Sequence, residues 1–153
     1  GKVCPQFTPF GVMKGNVNHD NARYGMYLDN QFPRNLDRDE HGFVKSGCPE
    51  FTDDGKDNGL IPANVVEDEF DYHNLFVGVY SLGDVSFVGH TSLNNAHSFY
   101  WETSKNFADG VSHHFRDGIV ANNQYDSYGR LQFYGPSGPF TFRFTNMTFV
   151  GGP

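Results

Sequence analysis

From residue 70 onward, short runs of alternating apolar and polar residues are separated by Gly, Asn and Asp, the pattern of strands joined by tight turns. Phe140-Thr141-Phe142-Arg143-Phe144-Thr145 is the cleanest alternation, with three Phe on one face. Residues 1–60 are richer in turns. Within them, Tyr24-Gly25-Met26-Tyr27-Leu28 reads as a short strand, 31–42 as a polar excursion, and Thr52–Gly59 as a surface loop. The helix-like stretch Val65–Phe70 is too short for an independent helix.

The runs repeat. Asn74-Leu75-Phe76-Val77-Gly78-Val79-Tyr80 overlays Asn95-Ala96-His97-Ser98-Phe99-Tyr100-Trp101 at a step of 21 residues. Arg116–Asn123 reads as the next copy and Asn21–Tyr27 as an earlier one, while Asp84–Gly89 matches Asn146–Gly151. A period near 20 with a short strand in each copy marks a solenoid. Seven leucines cannot supply a leucine-rich ladder. The pattern therefore predicts an all-β fold, a right-handed parallel β-helix with rungs of about 20 residues and long loop excursions, stacked roughly 4.8 Å apart. The competing expectation is an antiparallel β-sandwich whose similar strands only look periodic. In the β-helix, Val77 and Val79 face inward and stack on Ser98 and Tyr100, then on Gly118 and Val120. Phe76, Tyr80, His97, Phe99 and Trp101 face outward, and Asn74 and Asn95 form an amide ladder.

Composition sharpens the class. With 16 Phe, 8 Tyr, 18 Gly, 8 Pro and 14 Asn against 5 Ala and 7 Leu, a helical bundle is disfavoured. The formal charge of −7 opposes binding to nucleic acid or an anionic membrane, and no apolar run is long enough to span a bilayer as a helix. The 153 residues make one β-helix module, expected to be a piece of a larger protein. Cys4 and Cys48 either form one disulfide, in an oxidising compartment, or remain buried thiols.

The repeat units resemble the parallel β-helix region of the family that includes fibrocystin-like proteins and the cell-migration-inducing hyaluronidase. The resemblance rests on Asn18-His19-Asp20-Asn21-Ala22-Arg23-Tyr24-Gly25-Met26, Pro49-Glu50-Phe51, Phe70-Asp71-Tyr72-His73-Asn74, Gly78-Val79-Tyr80 and Gly83-Asp84-Val85-Ser86-Phe87. It covers about residues 12–125. It implies an extracellular or cell-surface protein, in some members ciliary and in some glycan-processing. No catalytic residue of the family maps onto a position of this chain.

Several groups could carry chemistry. His113-His114 with Asp109, Arg116 and Asp117 is the densest titratable cluster, but adjacent residues on a strand point to opposite faces. Glycosidase chemistry needs two facing carboxyls, for which Asp84 with Glu102, or Asp109 with Asp117, are candidates. Asp53–Gly59 and Asp37–Gly42 invite calcium, yet neither keeps the spacing of an EF-hand loop, and no zinc ligand set is recognisable, so no cofactor is expected, with structural calcium as the alternative. The outward Tyr80, His97, Phe99 and Trp101 suggest a glycan- or partner-binding strip. Asn146-Met147-Thr148 fits a glycosylation sequon. The C-terminal rung, rich in Phe, is expected to stack on further chain or on another subunit. Together these features predict a non-catalytic extracellular β-helix scaffold that binds glycans or partners. The competing expectation is a polysaccharide-degrading enzyme.

Overall fold

The computed structural model describes residues 11–28, 40–41, 64–82, 85–101, 112–123, 133–134 and 141–151. They form short strands that recur in threes. The first tier holds β1 (Met13–Lys14), β2 (Val17–His19) and β3 (Tyr24–Leu28). The second holds β4 (Asn64–Glu67), β5 (Phe70–Tyr72) and β6 (Val77–Ser81), and the third β7 (Val85–Val88), β8 (Thr91–Leu93) and β9 (His97–Trp101). The fourth holds β10 (Ser112–Arg116), β11 (Ile119–Ala121) and β12 (Phe133–Tyr134), and the fifth β13 (Thr141–Thr145) and β14 (Thr148–Val150).

Strands of the same rank pair across tiers, giving three sheets ordered β1-β4-β7-β10-β13, β2-β5-β8-β11-β14 and β3-β6-β9-β12. Every pairing is parallel. The chain visits the three sheets in the same cyclic order on each tier. The antiparallel sandwich is thereby excluded for the described strands.

Register lines like side chains into columns. In the first sheet, Met13, Val66, Phe87, Phe115 and Phe144 stand in line. Val66, Phe87 and Phe115 are fully buried, and the Phe87 and Phe115 rings stack at 4.7 Å. The third sheet adds Met26, Val79 and Phe99, all buried, with Phe99 packed 4.2 Å from Phe115, centroid to centroid. Fully burying a side chain of this size contributes roughly 1.5–3 kcal/mol. In the second sheet the column runs Asn18, Asp71, Ser92, Val120, Phe149, polar at one end and apolar at the other.

The step between tiers is less regular than a 20-residue period. Phe87 follows Val66 by 21 residues, but Phe115 and Phe144 follow at 28 and 29, and Val66 follows Met13 at 53. Segments of different lengths, outside the described residues, separate the tiers. Two expected alignments therefore fail. Gly118 and Val120 lie at the turn into the second sheet and within it, not in the column of Val77 and Val79. Asn146 occupies the turn position of Gly89, so Thr148–Val150 is a second-sheet strand and not a copy of Asp84–Gly89.

Candidate functional site

Two columns of left-handed residues shape the sides of the stack. Gly15, Asp68, Gly89, Asp117 and Asn146, with φ from 50° to 69°, turn the chain from the first sheet to the second. Asp20, His73, Asn94 and Asn122, with φ from 51° to 55°, turn it from the second to the third. Only glycine takes this backbone freely, while Asn and Asp are several-fold enriched there among other residues, which accounts for most of these choices. The turn backbones stack like strands: Asp68 N–H donates to Val88 O at 2.8 Å, and Asn94 N–H to Ala121 O at 3.1 Å.

Directly after the second column lies an amide ladder, Asn21–Asn74–Asn95–Asn123. Each Oδ1 accepts the backbone N–H of the preceding tier's Asn: 3.2 Å for Asn21 to Asn74, 2.9 Å for Asn74 to Asn95 and 2.7 Å for Asn95 to Asn123. Side-chain amides add Asn21 Nδ2 to Asn74 Oδ1 at 2.9 Å and Asn74 Nδ2 to Asn95 Oδ1 at 2.8 Å. The Nδ2 groups of Asn95 and Asn123 also reach the carbonyls of Asp71 and Ser92, each at 3.0 Å. Asn74, Asn95 and Asn123 are buried, so the ladder supplies partners that water cannot. The expected stacking of Asn74 on Asn95 is present. Asn21 and Asn123 extend it.

The ladder also explains an error in the expected strip. Asn95 follows Asn74 by 21 residues, but Val77 pairs with His97, 20 residues on, because Ala96 alone replaces Leu75-Phe76. A one-residue slip exchanges inner and outer faces. Phe99 therefore lies opposite Val79 in the core, and His97 is buried beside Phe76, with ring centroids 5.2 Å apart. Neither stands on an exposed strip. Ser98 is also buried, and Tyr100 lies on the outer column instead of the inner one. Trp101 pairs through its backbone with Ser81, and its side chain lies outside the described residues.

Of the four residues of the expected strip, Tyr80 does face outward, and it joins a column that sequence reasoning missed: Tyr27, Tyr80 and Tyr100. Their rings stack in parallel, with centroids 5.1 and 4.8 Å apart and planes within 14°. Tyr24 packs against both Tyr27 and Tyr80, and the Arg23 guanidinium lies 5.0 Å from the Tyr24 ring centre. Ring faces are turned toward neighbouring rings, so the column turns edges, not faces, sideways. That geometry is poorly suited to stacking sugar rings on its side. The signal was present in Tyr27 and Tyr80, which fall at the same place after Asn21 and Asn74.

The interior of the first three tiers holds a polar network. Asn18 Nδ2 donates to Glu69 Oε1 at 2.8 Å and to Asp71 Oδ1 at 2.9 Å, and Asn16 Nδ2 to Glu69 Oε2 at 3.0 Å. Glu69, Asp71 and His90 are each no more than 1% exposed. His90 Nε2 lies 3.0 Å from Asp71 Oδ2, but neither atom has a hydrogen bond of acceptable angle among the described residues. Asn16, Asn18, Met26 and Glu69 line a cavity of about 650 Å³ at the first-tier end.

Of the expected titratable cluster, the side chains of His114, Arg116 and Asp117 are described, and the Arg116 guanidinium lies 3.8 Å from the Asp117 carboxylate. His114 bonds Thr145 Oγ1 at 2.8 Å, and its pKa is lowered by burial and by the Arg143 and Arg116 guanidiniums. Asp117 sits in an exposed turn, where Asn146 Nδ2 donates to it at 2.8 Å. Asp84, Glu102, Asp109, the His113 side chain, Cys4, Cys48, the loop at 53–59 and nearly all of that at 37–42 lie outside the described residues. Among the described residues no group of three or more His, Cys, Asp or Glu has metal-binding geometry. Asn146 is exposed at its turn, as a glycosylation acceptor must be.

Beside the second turn column runs a polar groove of about 700 Å³. Asp20, His73, Asn94 and Asn122 line it, with Leu75 and Ala96 alongside and the ladder amides at its base. Asp20 Oδ2 is 2.6 Å from His19 Nδ1, and its Oδ1 is 3.8 Å from His73 Nδ1. The His19 ring stacks on Tyr72 at 4.7 Å. Such a groove can hold a hydroxylated ligand by donors and acceptors fixed to a rigid wall. Compared with protein-family models, with curated proteins and with solved structures, the chain matches none.

Proposed function

We propose that the three parallel sheets are the faces of a right-handed parallel β-helix, as in the fibrocystin-like and cell-migration-inducing hyaluronidase group that its repeats resemble. We further propose that the chain is a non-catalytic scaffold of an extracellular or cell-surface protein, binding a glycan or a partner on its side. The single observation that carries this reading is the Asn21–Asn74–Asn95–Asn123 ladder beneath a column of exposed turn residues. A wall pinned at every tier offers pre-ordered polar groups, which lowers the entropy cost of binding. The buried carboxylates Glu69 and Asp71 are engaged with Asn16, Asn18 and His90, an arrangement that serves the interior.

A second part of the proposal concerns the fifth-tier end, where Phe144, Phe149 and Val150 are 38%, 49% and 45% exposed. Phe144 and Phe149 continue inward columns, so this end fits a further apolar rung, from the same protein or another subunit. The test of the main reading is incubation with neutral and acidic polysaccharides, with and without calcium. Binding without release of reducing ends is expected; release would overturn the scaffold in favour of a polysaccharide-degrading enzyme.

A further inference from the structure

We infer that the groove beside Asp20, His73, Asn94 and Asn122 binds a linear, uncharged glycan laid along the stacking axis, about one sugar residue per tier. The inference rests on the scaffold reading above and names its ligand and site. Four tiers present one exposed polar side chain each, at equal backbone geometry, in a groove of about 700 Å³. That volume is within the range of roughly 300–1,000 Å³ for sites that take small ligands.

Three features select the ligand. The first is period. Tiers recur at roughly 4.8 Å, close to the length of a sugar residue in an extended chain, whereas an extended peptide advances about 3.3 Å per residue and falls out of step. The second is charge: among the described residues lining the groove there is neither Lys nor Arg, and Asp20 is the carboxylate among them, which disfavours a polyanion. The third is the mixture of contacts. The Asn94 and Asn122 side chains carry no hydrogen bond among the described residues, leaving a carbonyl and an amide free for hydroxyls. Leu75, 75% exposed, offers an apolar patch for the C–H face of a sugar ring.

The test is titration of the whole chain with cellohexaose, mannohexaose and chitohexaose as neutral probes and a galacturonate hexamer as the anionic one, followed by amide NMR and calorimetry. At least one neutral hexamer should bind and shift the amides of residues 73–75 and 94–96, and affinity should rise from disaccharide to tetrasaccharide and then level off. The Asn94→Gly/Asn122→Gly double variant keeps the left-handed backbone. It should weaken binding at least tenfold with an unchanged unfolding midpoint, while Tyr27→Ser on the tyrosine column should not weaken it. Glycan binding that ignores the double variant, or that favours the anionic hexamer, overturns the groove assignment and leaves the scaffold reading standing. Absence of binding by every hexamer overturns the groove assignment and leaves a partner-binding scaffold standing, whereas cleavage of any hexamer overturns the scaffold reading and the groove with it.

Discussion

Truncating Asn95 to alanine tests how much of the fold hangs on the amide ladder. The Asn95 side chain makes four hydrogen bonds: it accepts from Asn74 N–H at 2.9 Å and Asn74 Nδ2 at 2.8 Å, and donates to Asp71 O and Ser92 Oγ, both at 3.0 Å. Asn95 is 2% exposed, so water cannot replace the lost partners. The alanine variant strands the Asn74 backbone N–H and leaves Asn74 Nδ2 with one long bond to Asn18 O, at 3.4 Å. At about 0.5–1.5 kcal/mol net per bond, with a penalty of about 1–3 kcal/mol for an orphaned buried donor, the loss should be about 3–5 kcal/mol. Typical domains have only about 5–15 kcal/mol in total. With a urea slope of about 2 kcal/mol/M, the midpoint should fall by about 1.5–2.5 M. Leu75→Ala, on an exposed side chain beside Asn74 in the neighbouring tier, should stay within about 0.5 kcal/mol. An Asn95→Ala loss below about 1 kcal/mol, or one matching the Leu75 control, would refute the ladder as a structural support.

Gly25→Ala should destabilise by about 3 kcal/mol in urea unfolding, since the added methyl would meet Asp71 Oδ1 and lie 2.6 Å from the Gly78 carbonyl, which belongs to a paired strand and cannot retreat. A wild-type midpoint in Gly25→Ala would show that the first and second tiers are not packed this closely. His97 is buried, and desolvation lowers its pKa from 6.5, so the unfolded chain binds a proton that the folded chain resists. Its stability contribution is therefore complete above the unfolded pKa and is lost as pH falls through the folded one; His97→Gln should flatten the stability profile below pH 6.5. An unchanged profile would remove His97 as the source. If the protein is secreted, Cys4 and Cys48 should be bonded, adding roughly 3–4 kcal/mol on the disputed chain-entropy account, and two free thiols by titration of unreduced protein would reject the bond. Light scattering should show association through the fifth-tier end that Phe149→Ser weakens, and a strict monomer at high concentration would count against that surface.

Much of the architecture was readable because its local signals are strong. Short strands, turn-forming Asn and Asp, and the recurrence of Asn74 at Asn95 are all visible in the chain and point to parallel stacking. Register was harder. Ala96 stands where Leu75 and Phe76 stand one tier earlier, and deleting that one residue inverts the face of every position read after it. Hence His97 and Phe99 read as surface residues while being core, and the outer partner of Tyr80 proved to be Tyr100. The alignments of Gly118 and Asn146 failed for another reason: apolar triplets from the second sheet resemble those of the other sheets, and nothing local says which face a triplet belongs to. The buried Glu69, Asp71 and His90 were invisible as a group, since each sits in a turn or strand that reads as solvated. Only stacking brings them together.

The interior also has a direction. Along the second sheet its inward residues run Asn18, Asp71, Ser92, Val120, Phe149, and the adjoining turn positions run Asn16, Glu69, His90, Gly118, Met147. A filament of identical copies stacked end to end would set Phe149 against Asn18 and Met147 against Asn16, placing amides beside hydrocarbon and leaving them without partners. The two ends are therefore poor templates for each other, although both carry strand edges. Exposed parallel strand edges invite end-to-end pairing, and the mismatch in filling between the first and fifth tiers disfavours it without charges along a rim.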